Sequence, residues 1–195
     1  MPDKIAKLEL FVVPPRWLLL KLSTHEGLVG WGEPIVEGKA ATVAAAVGEL
    51  EQLLIGHDPN RIEDLYQALY RGGFYRGGPV LMSAISGIEQ ALWDVKGKRY
   101  GAPVYELLGG ACRDRVQAYS WVGGDQPQQT AEAALERKAA GWRAVKMNAV
   151  PRVGWLETPE RVRALVAEVA AVRVAVGWDF GIALDFHGRV RRTLA

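Results

Sequence analysis

Phe180-Gly-Ile-Ala-Leu-Asp-Phe-His187 closes a stretch that reads, from about Arg115, as strand, helix, strand, helix, strand. The segments are Val116 to Val122, Thr130 to Ala140, Trp142 to Asn148, Pro159 to Val176 and Phe180 to His187. Such alternation predicts parallel strands joined by crossover helices. In the longest helix Thr158 is placed to cap the N-terminus and Pro159 fits the first helical position. Its expected buried stripe is Val162, Leu165, Val166, Val169 and Val172.

Strand side chains alternate between faces, so Phe180, Ile182, Leu184 and Phe186 share one side, expected to be buried. Gly181, Ala183, Asp185 and His187 share the other. The strand Trp142 to Asn148 ends in the same way, with Val145 and Met147 on one face and Ala144, Lys146 and Asn148 on the opposite one. If both strands belong to one barrel, Lys146, Asn148, Asp185 and His187 converge at the C-terminal mouth, where barrel active sites lie. The competing interpretation is a pair of half-buried strands whose last polar residues meet solvent.

The N-terminal part has a different pattern. Ile5 to Val13, Trp17 to Thr24 and Leu28 to Glu33 predict an antiparallel meander, with a loop at Pro14-Pro15 and a turn at His25-Glu26-Gly27. Helices follow over Ala40 to Leu54, through Ile62, Leu65, Tyr66, Leu69 and Tyr70, and over Ser83 to Tyr100. The last carries Ile85, Ile88, Leu92 and Val95 on one face and stops at Gly101. The Gly-rich segment Arg71 to Gly78 lacks the order of a phosphate-binding loop. Its aromatics and arginines suggest a lid over an anionic organic substrate. Phe74, Tyr75 and Arg76, with Arg16 and Trp17 on the first loop, are the candidate contacts, with structural packing of the aromatics as the alternative. Glu33 is expected to be a structural strand-end residue, and His25 and His57 to be exposed in turns.

Over 195 residues, 49% hydrophobic and 24% charged residues are ordinary globular composition. A net charge of +2 gives no case for a nucleic-acid or acidic-membrane partner, and no apolar run reaches the roughly 18 residues of a membrane span. Arg189, Arg191 and Arg192 are taken as solvated. One cysteine, Cys112, excludes an internal disulfide or a CxxC metal site and suits a reducing compartment, with the cytoplasm as the default. Nothing in the N-terminus resembles a signal peptide.

Asp185 can supply one oxygen ligand to a hard cation such as Mg²⁺, which usually needs more than one anionic group. His187 can donate a proton to a departing hydroxide or accept one from a carbon acid. Lys146 can bind a carboxylate or polarise an enolate, or it can be a salt-bridged barrel lysine.

Several segments together resemble the enolase superfamily, in its mandelate racemase/muconate lactonizing enzyme group, and within it the D-galactonate dehydratases. They are Trp31-Gly-Glu-Pro, Gly73-Phe-Tyr-Arg-Gly-Gly-Pro, Ala91-Leu-Trp-Asp-Val-Lys-Gly-Lys with Gly109-Gly110, Tyr119-Ser-Trp-Val-Gly-Gly-Asp and Leu184-Asp-Phe-His-Gly-Arg. The resemblance implies an α+β capping domain over residues 1–112 and the first three strands of an incomplete (β/α) barrel over 113–195. It implies a hydro-lyase acting on a small-molecule acid sugar, D-galactonate to 2-dehydro-3-deoxy-D-galactonate, with Mg²⁺ stabilising the enediolate formed by proton loss. It further implies Asp185 as the first of three carboxylate ligands, His187 as the acid that protonates the leaving 3-hydroxyl, and a homo-oligomeric full-length enzyme. Lys146-Met147-Asn148 departs from the racemase pattern by placing an amide where a second lysine would be the base. The remaining ligands and the base would lie on strands beyond Ala195, so residues 1–195 alone are expected to be inactive. Two other readings stand beside this one: a non-catalytic binding or assembly module, and a superfamily dehydratase acting on another acid sugar.

Overall fold

The computed structural model of the chain describes residues 3–149 and 158–190. It contains two compact units, Met1–Cys112 and Arg113–Ala195.

In the first unit β1 (Ile5–Val13), β2 (Trp17–Thr24) and β3 (Val29–Gly32) form an antiparallel sheet in that order. Helices α1 (Ala40–Glu51), α2 (Ile62–Arg71), α3 (Pro79–Tyr100) and the single turn α4 (Val104–Leu107) follow. Register sets Leu8, Leu10 and Val12 opposite Leu22, Leu20 and Leu18, so period-two alternation gives the sheet one apolar face. Leu18, Leu20 and Leu22 are fully buried against Val43, Val47, Leu65, Ile85, Ile88, Leu92 and Val95, each burial contributing about 1.5–3 kcal/mol. The four residues expected on the inner face of α3 are all in this core. The helix begins at Pro79, a turn earlier than Ser83, because proline lacks only an N–H that a first helical residue would leave unbonded.

The inner contact is unusually close where β3 meets α3. A Cβ on Gly32 would lie 1.9 Å from the Gly87 carbonyl oxygen, and one on Gly30 would lie 2.0 Å from that of Ala91. The outer edge of β3 is closed by side chains one helical turn apart on α3. The Glu33 N–H donates to Gln90 Oε1 at 2.9 Å, and the Trp31 N–H to Asp94 Oδ2 at 2.8 Å. Lys98 Nζ donates to the Val29 carbonyl and to Asp94, both at 2.7 Å. The helix thus supplies the partners that a further strand would otherwise provide.

Asp3, 3% exposed, ties the sheet to the end of α3. It accepts from the backbone N–H of Lys4 and Glu26 and from Arg99 Nη2 at 2.5 Å. Burial pushes its pKa up, but the hydrogen bonds from Thr24, Glu26 and Lys4 and the Arg99 charge outweigh this and hold it below the usual range.

In the second unit β4 (Ser120–Trp121), β5 (Ala144–Asn148) and β6 (Gly181–Asp185) form a parallel sheet in that order. Helices α5 (Pro127–Ala139) and α6 (Pro159–Val176) are the crossovers and share a core with the strands. Val145 and Met147 are buried with Ala131, Ala134, Val172, Val176 and Phe180.

Four expectations need correction here. The strand expected over Val116 to Val122 is only two residues, because Ser120 pairs with Val145 and β5 begins at Ala144; residues 116–118 have no strand beside them. Helix α5 starts at Pro127, before Thr130, with Gln129 Oε1 accepting from the N–H groups of Asp125 and Gln126. On α6 Thr158 stands at the N-cap without a side-chain cap bond, and of the expected stripe only Val172 is fully buried while Val166 is exposed. On the apolar side of β6 only Phe180 is buried, with Leu184 and Phe186 exposed. The buried residues of α6, Val172 and Val176, lie in its C-terminal half. Residues 150–157, Arg191 and Arg192 lie outside the described residues. Among those described, no helix is long and apolar enough to cross a membrane.

Gly32→Ala should destabilise the first unit by about 1–3 kcal/mol, read from the denaturant midpoint, since the new methyl meets backbone. Gly48→Ala, in α1 with nothing within 4 Å of its Cβ position, should stabilise by about 0.5–1 kcal/mol.

Because the folded pKa of Asp3 is depressed, its stabilisation is full above the ordinary aspartate value of about 3.9 and is lost as pH falls through the folded value. Asp3→Asn should flatten the loss of stability in that acid window and lower stability at neutral pH by about 1–3 kcal/mol.

Candidate active site

The polar ends of β5 and β6 meet. Register pairs Lys146 with Ala183 and Asn148 with Asp185, so Lys146, Asn148 and Asp185 share a face at the C-terminal end of the sheet. Lys146 Nζ lies 2.5 Å from Asp185 Oδ2, both side chains a little over a quarter exposed. The Asp185 hydrogen bond, against opposing desolvation, raises the Lys146 pKa; the same bond, with the His187 N–H, lowers that of Asp185. Both groups are therefore held charged.

His187 reaches this cluster by a turn, not by strand alternation. β6 stops at Asp185, whose Oδ1 accepts the His187 backbone N–H at 2.9 Å, an aspartate side chain bonding its own backbone two residues on. His187 and Gly188 both have positive φ, 48° and 63°, and the Arg189 N–H donates to the Phe186 carbonyl at 2.8 Å. That is the pattern of a type I′ turn, in which glycine suits the second central position. A histidine at positive φ is uncommon and marks a conformation the surroundings impose. Its Nδ1 lies 3.4 Å from Asp185 Oδ1, leaving Nε2 as the outward nitrogen.

Asn148 also lines a cavity of about 500 Å³ with Trp121, Gly123, Gly124, Asp125, Gln129, Met147 and Glu168. Sequence reasoning assigned no role to Trp121, Asp125, Gln129 or Glu168. Their signal was position, on the Tyr119-Ser-Trp-Val-Gly-Gly-Asp segment and the two helices that follow it.

The other candidates stand in the first unit. Arg16 pairs with Glu37 and lies 5.6 Å from the Trp17 ring centroid. Phe74 and Tyr75 contact one another edge to face and are 92% and 88% exposed, so these two do not pack into the core as the alternative supposed. Arg76 is exposed on the same loop. Glu33 uses its backbone at the end of β3, and His25 and His57 are exposed.

Asp185 fits a hard cation as one ionised oxygen ligand. One carboxylate does not make a Mg²⁺ site, and among the described residues no group of three or more His, Cys, Asp or Glu side chains could hold a metal ion.

Residues 12–109 match the mandelate racemase/muconate lactonizing enzyme N-terminal domain. The chain belongs to this family. Over 192 residues, 98% of the chain, it is 54% identical to the D-galactonate dehydratase of Ralstonia nicotianae and 53% identical to that of Pectobacterium atrosepticum. It spans about half the length of these relatives, 50% of each. Among solved structures it is similar to a member of the enolase superfamily from Salmonella Typhimurium, at TM-score 0.91 and 29% identity over 98% of this chain and 56% of that one. It is also similar to an enolase from Pantoea ananatis with bound D-gluconate and Mg, at TM-score 0.87 and 27% identity over 98% and 55%. The antiparallel sheet with its helices is the N-terminal capping domain of this mandelate racemase/muconate lactonizing enzyme family, and the second unit carries a partial parallel sheet of three strands.

Lys146→Met should raise the titration midpoint of Asp185 toward the ordinary carboxylate range, followed by carboxyl-detected NMR in chelator-treated buffer. An unmoved midpoint would mean that the His187 N–H alone keeps Asp185 ionised.

Proposed function

We propose that this chain is the N-terminal portion of an acid-sugar dehydratase that converts D-galactonate to 2-dehydro-3-deoxy-D-galactonate and water. The observation that carries this reading is the cluster of Lys146, Asp185 and His187 at the C-terminal end of a parallel sheet, supported by relatives named for that activity. The substrate gives up its C2 proton to a base and its C3 hydroxyl, protonated as it departs, as water; the enol left behind takes up a proton at C3 to become the 2-keto acid. His187 Nε2 is assigned to deliver the proton to the departing hydroxyl, with Asp185 beside Nδ1 orienting the ring. Lys146 is assigned to the substrate carboxylate and Asn148 to a neighbouring hydroxyl. A bound Mg²⁺, to which Asp185 would contribute one ligand, would supply Lewis-acid stabilisation of the charge that develops on the carboxylate. With an amide at Asn148, two residues past Lys146, the base that removes the C2 proton is assigned to a residue outside those described.

Arg16, Trp17, Tyr75 and Arg76 remain substrate-binding candidates of the first unit. We assign residues 1–112 to the capping domain and 113–195 to the barrel, and propose a cytoplasmic homo-oligomer without a nucleic-acid or membrane partner.

Replacing the matching half of the Ralstonia nicotianae enzyme with residues 1–195 tests the reading. The hybrid should release the keto-deoxy acid from D-galactonate, lose turnover with chelator and regain it with Mg²⁺, while residues 1–195 alone should be inactive. Asp185→Asn and His187→Asn should each lower turnover by about a hundredfold or more with unchanged circular dichroism. A folded hybrid that dehydrates no six-carbon acid sugar would end the proposal; one that prefers another epimer would move the substrate and keep the chemistry.

A further inference from the structure

Trp121 has no part in the chemistry assigned above, yet it stands beside it. It pairs in register with Lys146, so its strand position is on the face that carries Lys146, Asn148 and Asp185. Among the described residues its side chain is not buried: the residue is 57% exposed. The indole folds back over the strand end and occupies the space a side chain at residue 123 would need. A Cβ on Gly123 would lie 2.6 Å from Trp121 Cη2 and 2.8 Å from Cζ2. Glycine at 123 is therefore what permits this ring position.

Trp121 and Gly123 line the cavity of about 500 Å³, whose polar lining is Asn148, Gln129, Asp125 and Glu168. Gln129 Oε1 is occupied by the N–H groups of Asp125 and Gln126, so its amide nitrogen is the group it can offer a ligand. An aromatic face with amide and carboxylate groups around it matches a polyhydroxylated carbon chain. The apolar C–H edge of such a chain lies against the ring, and its hydroxyls bond to the polar groups.

We infer that Trp121 is the wall against which the polyol chain of the substrate stacks, with Asn148 and Gln129 serving its hydroxyls. This extends the proposed function, on which the identity of the acid sugar rests. It predicts that recognition divides in two, the carboxylate end at Lys146 and the chain at Trp121.

The seven tryptophans of the full chain give indole N–H signals in NMR, and Trp121→Phe identifies that of Trp121 by its loss. Titration with D-galactonate should move this signal. Galactitol, which has the hydroxylated chain without the carboxylate, should move it too, and glycolate, with the carboxylate and a single hydroxyl, should not. Gly123→Ala keeps the indole but forces it out of place, and should weaken the galactonate response about tenfold with the other indole signals unchanged. A Trp121 signal silent to both polyols, or moved equally by glycolate, would overturn the inference, as would an undiminished response in Gly123→Ala. A galactitol response in a chain whose hybrid fails to dehydrate would leave the stacking wall standing and remove the dehydratase reading. Dehydration with a silent Trp121 would do the reverse.

Discussion

The first unit is organised by the seating of one short strand on one long helix. β3 can approach α3 only because Gly30 and Gly32 have no side chains where the carbonyl oxygens of Ala91 and Gly87 lie. Once the backbones are that close, the outer N–H and C=O groups of β3 lie within reach of the side chains of α3. Gln90, Asp94 and Lys98 then serve as their partners at helical spacing of four. The Ala91-Leu-Trp-Asp-Val-Lys-Gly-Lys segment thus has a structural meaning. Leu92 and Val95 fill the core, while Asp94 and Lys98 close the sheet edge, so these two charged residues of the motif support the fold.

The second unit uses the same economy at a different place. Val145 and Met147 go to the helices, and period-two alternation leaves Lys146 and Asn148 on the face that β6 shares with Asp185. Asp185 then has two tasks with two oxygens. One holds the Lys146 ammonium, and the other accepts the backbone N–H of His187 at the turn. Loss of that carboxylate would remove a counter-ion and a turn together, so its contribution to the site is positional as well as electrostatic.

Much of this was legible in the sequence because it rests on periodicity. The alternation in β2 and the three-and-four spacing of Ile85, Ile88, Leu92 and Val95 name the core, and the strand ends name Lys146, Asn148 and Asp185. What was not legible depends on neighbours. The strand at 116–122 has the composition of a strand, but only Ser120 and Trp121 pair with β5, with the Val122 N–H adding one bond to the Lys146 carbonyl. The stripe of α6 and the apolar side of β6 are correct as patterns, yet Val166 and Leu184 remain exposed because burial needs a second surface. The starts of α3 and α5 could have been read from Pro79 and Pro127 by the rule that placed Pro159. His187 was put in the cluster by strand alternation, whereas a side-chain bond to its own backbone brings it there. Trp121 was missed because an aromatic on a strand ordinarily reads as core.

Charge balance sets what the cluster can do. Lys146 and Asp185 together are neutral, so a substrate carboxylate arriving there competes with Asp185 for one ammonium. Proton loss next to that carboxylate would add a second negative charge within a few ångströms, and in a partly dehydrated site such repulsion costs several kcal/mol, about 4 for unit charges 4 Å apart at an effective dielectric of 20. A protonated His187 offsets one charge but gives up its proton to the leaving hydroxyl. The described cluster alone therefore suits binding an acid better than removing a proton beside its carboxylate. A further positive charge at Asp185 would reverse that order by releasing Lys146 to the substrate, which is the physical ground for assigning Asp185 to a divalent cation.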